Sequence, residues 1–388
     1  MECGEIIRRF ERVKATRTTV QTEWDAIEAF VAPYRGRFFK DNTNEHSVDW
    51  TKRNVFDSTA INSAQSLAAS LHGSLTSPAT RWFSLGFRDR DMQDDVEANE
   101  WLEECADAVY YALQDSTFNL EANELYLDLV TFGTGAILCE PRKAKLGEFE
   151  GVDFTAVPIK EAYFEPSERG VHTFYRELKW TPSKIVSKFG EENLPKVVTE
   201  SYERGDQDLI TIVFCVYPRN RNQNADIHKA LSPSRRPYGY KYVLKHSAEL
   251  IGKEGGYYEM PAFLPRWRKT SESQWGHSPA NIAMGDILTV NQIIEMQLKA
   301  EEKLIDPPQK VQERALLGDL ELKARGLTVM RDINQIAPLA TGSQPVVGDN
   351  RVQDLRMAIR QYFFVDELEL KQSPAMTATE VSVRYELM

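Results

Sequence analysis

Apolar residues recur along this chain with two periods, and the longest unbroken pattern runs from Ser278 to Lys303. There Ala283, Ile287, Val290, Ile294 and Leu298 follow a 4-3-4-4 spacing, the signature of an amphipathic helix. Ser278 is a good N-cap, and Pro279 suits the first helical position because its missing N–H would be unpaired there anyway. Asp306-Pro307-Pro308 ends the segment, since proline removes a donor and disfavours helix in the residue before it. From Arg351 to Phe363 a second helical stripe, Val352, Leu355, Ile359 and Phe363, is spaced 3-4-4. Residues 304–350 lie between the two. The pattern fits a long helical hairpin carrying a small knob, and equally a helical pair in an ordinary core.

Upstream, residues 4–31 read as helix with a soft break at Thr16–Thr19 and a stop at Pro33. Residues 34–50 read as a polar loop, where Arg35, Arg37 and Lys40 meet solvent or a phosphate. Asp57-Ser58-Thr59 predicts a cap for a helix striped by Ala60, Ala64, Leu67, Leu71 and Leu75. A strand is expected from Arg81 to Leu85. Two further helices follow, one over 94–115 with Leu102, Cys105, Val109 and Leu113 inward, the next carrying Leu120, Leu127 and Val130. Phe132-Gly133-Thr134-Gly135 ends the last of these and leads into a strand at 136–139. The period then changes to two, predicting strands at 154–158, 173–180, 209–217 and 240–245, with a short helix between Thr181-Pro182 and Gly190. Residues 219–237 read as a surface loop whose Arg219, Arg221, Arg235 and Arg236 face solvent, nucleic acid or a partner. Residues 364–375 read as a charged loop. Thr377-Ala378-Thr379-Glu380 opens a last helix with a capping-box pattern. That helix stops about two turns later, which predicts either a longer natural chain or a disordered remainder.

A length of 388 residues exceeds what one hydrophobic core usually serves, so two or three domains are expected. Composition is that of a folded globular protein, with 42% hydrophobic and 27% charged residues. There is no apolar run long enough for a transmembrane helix and no signal-peptide apolar region near the N-terminus. These features predict a cytosolic protein. Cys3, Cys105, Cys139 and Cys215 are far apart and are expected as free thiols. The net charge of −11 argues against tight gripping of a nucleic-acid backbone, but not against a surface that DNA passes without sticking.

No nucleotide-binding, nucleophile-elbow or zinc-protease motif is present, and the glycines at 133 and 135 follow a helix rather than a strand. The six histidines lack ligand spacing, and His277 reads as structural. Asp89, Asp91, Asp94 and Asp95 are the densest carboxylates; they suit a helix N-terminus better than a metal. No cofactor and no catalytic residue is expected. A metal-dependent DNA-processing enzyme built on those carboxylates is the alternative reading.

Four stretches, taken in order, resemble the portal, or head-to-tail connector, proteins of podovirus-type bacteriophages. They are Trp24–Pro33 with the basic loop after it; Val55–Phe83; Pro265-Arg266-Trp267 with Trp275–Ala280 and Asp286-Ile287; and Met376–Val381 with Arg384 and Glu386. The resemblance implies an α+β portal fold and a ring oligomer, usually of twelve subunits, at one capsid vertex. It implies that double-stranded DNA is packaged through the ring by the terminase and later ejected. Residues 1–277 would form the wing, helical over 1–131 and α+β over 132–277. Residues 278–303 and 351–363 would be stem helices, 304–350 a small α/β clip that meets terminase and tail adaptor proteins, and 364–376 a tunnel loop. Residues 377–388 would begin the long wing helix, with its remainder and the crown absent. The capsid protein is a further partner, and the location is the virion, preceded by the host cytoplasm during assembly. Ile287, Val290, Ile294, Leu298, Leu355 and Ile359 are the candidate subunit contacts. Lys299, Lys303, Arg356, Arg360, Lys371 and Gln372 are candidate channel residues; an intersubunit salt bridge is the alternative for the basic ones.

Overall fold

A computed structural model of the chain describes residues 1–33, 55–88, 95–142, 150–168, 170–219, 231–270, 273–305, 309–311, 336–338 and 349–368. The amphipathic stretch at the N-terminus divides into α1 (Cys3–Thr16) and α2 (Thr18–Phe30). The break has a local cause. Thr16, Thr18 and Thr19 each turn a hydroxyl back onto a carbonyl three residues earlier, competing with the helical ladder. Arg17 sits at the joint, buried, and its Nη1 donates to the carbonyls of Ile159 and Lys160. Its guanidinium lies against the rings of Trp24 and Tyr163. The joint is therefore fixed to the body of the protein.

Three helices follow among the described residues: α3 (Thr59–Leu75), α4 (Val96–Gln114) and α5 (Phe118–Phe132). Ala60, Ala64, Leu67 and Ala68 of α3 are buried and let α5 approach closely, while Leu75 is exposed. At the start of α3 the cap is Asp57, which accepts from the Thr59 amide; the Ser58 side chain makes no cap bond. Residues 81–87 form no strand. Trp82 instead stacks on Phe118, and Arg81 bonds Glu103 and Asp107 of α4. On α4 only Ala106 is buried. Leu102, Cys105 and Leu113 are half-buried, and Val109 is exposed rather than inward.

Past Gly133 the chain turns to sheet. Strands β1 (Ile137–Pro141) and β2 (Val152–Ala156) pair with each other. Next come β3 (Ala162–Ser167), β4 (Gly170–Trp180), α6 (Pro182–Phe189), α7 (Lys196–Glu203), β5 (Ile210–Pro218), β6 (Tyr238–Leu244), β7 (Leu250–Tyr257) and β8 (Ala262–Phe263). β3 to β7 form an antiparallel sheet in sequence order, and β8 joins the far side of β1. The expected strands lie in β1, β2, β4, β5 and β6. Sequence reading missed β3, β7, β8 and α7. β7 carries three glycines, which lower strand propensity. Gly255 and Gly256 leave no room for a side chain, since a Cβ would meet the Tyr240 ring or the Pro233 carbonyl oxygen at 2.2 Å. β3 holds Pro166 at a register shift, the position proline tolerates.

The sheet separates two cores. Phe174, Ile212, Phe214, Val216 and Tyr242 face the larger one with α2, α3 and α5. The alternating set, Tyr175, Val213, Cys215, Tyr217 and Val243, faces α1 through Ile6, Phe10 and Val13. β5 is buried on both faces, which explains its near-continuous apolar run. Ion pairs border the α1 side: Lys14 and Lys245 both bond Glu177, and Arg9 bonds Glu165. The last elements are α8 (Pro279–Ile305), a two-stranded ladder of β9 (Gln309–Val311) with β10 (Ile336–Pro338), α9 (Asp349–Tyr362) and α10 (Val365–Leu368). Residues 364–375 were expected as loop, yet α10 occupies their start, and Val365 is buried. Residues 34–50 and 377–388 lie outside the described residues. All four cysteines are free, and Cys215 is buried.

Gly133 and Gly276 meet back to back. A Cβ on Gly133 would lie 2.4 Å from the Gly276 oxygen, and one on Gly276 would lie 2.1 Å from the Gly133 oxygen. Gly133 also has φ of +75°. Gly276→Ala should lower stability by about 1–3 kcal/mol, measured by urea denaturation. Gly285→Ala, mid-helix with open space around it, should instead raise it by roughly 0.5–1 kcal/mol. A second expectation concerns pH. Burial alone would raise the Glu177 carboxyl pKa, but hydrogen bonds from Lys14 and Lys245 outweigh burial and hold it below the usual range. Its stabilising contribution is complete above the unfolded value of about 4.3 and is lost as pH falls through the lower folded value. Amide exchange of α1 should therefore accelerate selectively below about pH 4, and Glu177→Gln should remove that selectivity.

Candidate functional site

The long helix α8 begins at a fixed root. Ser278 is fully buried, and its hydroxyl donates to the Thr131 carbonyl at 2.6 Å. The same hydroxyl accepts from the Asn281 amide, while the Ser278 amide donates to Asn281 Oδ1 at 2.9 Å. This reciprocal cap has the logic of a capping box with Asn at the third position. Asn281 Nδ2 then reaches Glu23 on α2. One turn earlier, Trp275 inserts between Trp24 and Phe164, with ring centroids 5.0 and 5.1 Å away and near-perpendicular planes. Edge-to-face contact of this kind adds to simple burial. Gly276 donates its amide to Thr134 Oγ1, and His277 pairs with Arg268 through backbone.

From that root α8 runs 27 residues, about 40 Å at 1.5 Å per residue. α9 packs along it. The candidate contact residues separate here. Ile287, Val290, Leu355 and Ile359 are buried inside the protomer, together with Ala283, Val352 and Phe363. Ile294 is partly buried against the same core. Leu298, near the tip of α8, is 47% exposed. In this arrangement the stripe joins α8 to α9 and to the body, so only Leu298 and part of Ile294 are open to another molecule. A different apolar set is exposed: Ile282, Leu288 and Met296 on α8, with Met357 and Tyr362 on α9. At about 100° per residue, the α8 members lie opposite Ala283, Ile287 and Val290. Sequence periodicity missed this second set because it is sparse.

The basic candidates also divide. Arg356 bonds Asp57 through Nε and Nη2, both at 2.8 Å, and Asp57 is almost fully buried. Arg360 bonds Asp366 on α10. Lys299 pairs with Glu295 one turn back, and Lys303 is exposed near the α8 tip. Lys371 and Gln372 lie outside the described residues. Two arginines of the 219–237 stretch, Arg219 and Arg236, serve the fold, while Arg235 is exposed. Arg219 bonds Glu254 and the carbonyls of Pro233, Arg236 and Gly255. Arg236 bonds the Gly256 carbonyl and covers the Tyr258 ring. Arg221 lies outside the described residues.

Of the carboxylate run at 89–95, only Asp95 is described. It caps α4, accepting from the amides of Glu97 and Ala98. Among the described residues no three His, Cys, Asp or Glu side chains converge to hold a metal ion. No described helix is long and apolar enough to cross a membrane.

Residues 4–386 match the family described as bacteriophage head to tail connecting protein, and the chain belongs to it. It is 23% identical over 393 aligned residues to the probable portal protein of Bordetella phage BPP-1, across 98% of this chain and 68% of that relative. It is 26% identical over 388 aligned residues to the portal protein of Salmonella phage epsilon15, across 96% of this chain and 66% of that relative. The chain thus spans about two thirds of the length of these curated relatives. It is a structural connector component and not an enzyme.

The pairing pattern gives a direct test. Arg356→Ala strands a buried carboxylate and should cost about 1–3 kcal/mol. Lys299→Ala and Lys303→Ala should stay within about 0.5 kcal/mol of the parent. Thermal unfolding of the three variants side by side would read the difference.

Proposed function

We propose that this member of the connector family is one subunit of a ring-shaped portal at a capsid vertex. Double-stranded DNA enters through the ring during packaging by the terminase and leaves through it at ejection. Residues 1–277 are the wing. α8 and α9 are the stem, and residues 304–350 are the clip onto which terminase and then tail adaptor proteins dock. Residues 364–376 belong to the tunnel loop, and 377–388 to the beginning of a further wing helix. The ring is a homo-oligomer, with twelve subunits as the expected number, seated against the capsid protein.

The observation that carries this reading is the family match along nearly the whole chain, combined with a long rooted helix that leaves the body and returns as α9. Electrostatics support it. The chain is acidic overall, at −11, so passing DNA gains little from counterion release and does not adhere. Arg356 and Arg360 bond within the protomer and Lys299 pairs with Glu295, so of the described channel candidates the exposed Lys303 is the one we assign to brief contact with the duplex, with Lys371 and Gln372 assigned on the family resemblance alone. For the subunit seam along the stem, Leu298 and the outer set of Ile282, Leu288, Met296, Met357 and Tyr362 are the available apolar surface, since the inner stripe is already buried.

Mass photometry and negative-stain imaging of the purified protein test the proposal. Closed rings with an open centre are the expected outcome at micromolar concentration. A persistent monomer overturns it.

A further inference from the structure

Among the described helices, α4 has one of the most exposed surfaces. Of its 19 residues only Ala106 is buried, while Trp101 is 58% and Tyr111 69% exposed. Glu97, Glu100 and Glu104 are exposed alongside them, spaced three and four apart and therefore on one face. The helix contains no lysine or arginine. A bare aromatic pair beside an acidic ridge is an unusual surface for a helix to show to water.

A complementary surface lies elsewhere on the same chain. Along α1, Arg8, Arg9 and Arg12 line a cleft of about 540 Å³ together with Glu5, Glu165 and Gln274, so its arginines outnumber its carboxylates. Arg9 in that cleft is committed to Glu165. Arg8 and Arg12 are exposed and form no ion pair among the described residues. They are four apart, as are Glu100 and Glu104, so the two helices present charges at matching intervals. The surfaces cannot meet within one protomer. α1 packs on one face of the five-stranded sheet, whereas α4 rests on α5, whose Val130 and Phe132 belong to the core on the other face.

We infer that α4 of one copy docks into the α1 cleft of the next copy. Trp101 enters the cleft between Arg8 and Arg12, where an arginine over an indole face is attractive beyond burial. Glu100 and Glu104 pair with the same two arginines at the rim. Trp and Arg are the residues that most often dominate association energies. Because the two surfaces differ and lie on opposite sides of the sheet, the contact is head-to-tail, the type that generates rings or open filaments rather than closed pairs. The inference rests on the ring proposed above and adds a second seam, in the wing, to the one along the stem.

Charge reversal tests it on the full chain. Arg8→Glu/Arg12→Glu and, separately, Glu100→Arg/Glu104→Arg should each reduce the assembled fraction by roughly tenfold or more, since like charges then face each other. All four changes in one chain should restore most of the assembly, which loss of folding would not allow; circular dichroism of each variant checks the fold. Trp101→Ala should weaken assembly without altering the pH or salt dependence that the charges impose. If the unaltered chain forms rings and the reversals are silent, or the fourfold variant assembles no better than either double, the wing seam is wrong while the ring stands. If the unaltered chain does not assemble, both fall. If the Arg8/Arg12 change leaves rings intact but abolishes retention of a 30-base-pair duplex, about three helical turns, the cleft belongs to nucleic acid and the inference is overturned.

Discussion

Two backbones touch at Gly133 and Gly276, closer than any side chain would allow, and much of the architecture follows from that contact. It brings the end of α5 against the segment that launches α8. Hydrogen bonds flank the crossing: the Gly276 amide donates to Thr134 Oγ1, and the Ser278 hydroxyl donates to the Thr131 carbonyl. Trp275 fills the space beside it among Trp24 and Phe164. The helix that leaves the body is thus positioned by close packing and by a satisfied cap, in a place where water does not compete. Without it, α8 would be set only by its apolar stripe, which fixes rotation about the axis but not the point of departure.

Charged groups divide into those that build the protomer and those left over. Arg17, Arg219, Arg236 and Arg356 all bond within the chain. Burial pushes the Arg17 pKa down from its ordinary value, partly offset by Tyr163 and Glu177. Such arginines are structural because a guanidinium offers several donors in a rigid fork and can tie many carbonyls at once. Glu254 shows the other side of the bargain: burial would raise its pKa, but Arg219 and Lys241 together hold it below the usual range. A count of basic residues in a loop therefore overstates what the loop offers to DNA.

How much was legible in the sequence follows from which physics is local. The caps at Ser278 and the stops at Gly133 and Gly190 depend on neighbours a few residues away, and they were readable. The helices α8 and α9 were readable for the same reason. β7 was not, because its glycines answer to Tyr240 and Pro233, which lie distant in sequence or beyond a loop. The expected strand at 81–85 failed because alternation of apolar residues signals a half-buried surface, and Trp82 finds its cover in a ring of Phe118 instead of a sheet. For the candidate site, periodicity identified a greasy stripe on each long helix but could not tell which molecule covers it. Ile287, Val290, Leu355 and Ile359 are covered by their own chain. Likewise, nothing local pairs Arg356 with Asp57, which lies 299 residues away.

The root of α8 has a mechanical consequence. A rod clamped at one end and about 40 Å long converts a small rotation at its base into a large sweep at its free end. A tilt of about 5° at Ser278 would carry the region of Lys303 sideways by roughly 3–4 Å over that length. Strain delivered to the aromatic seat of Trp275 would thus be magnified on its way outward, and a push on the far end would be felt, geared down, in the heart of the fold.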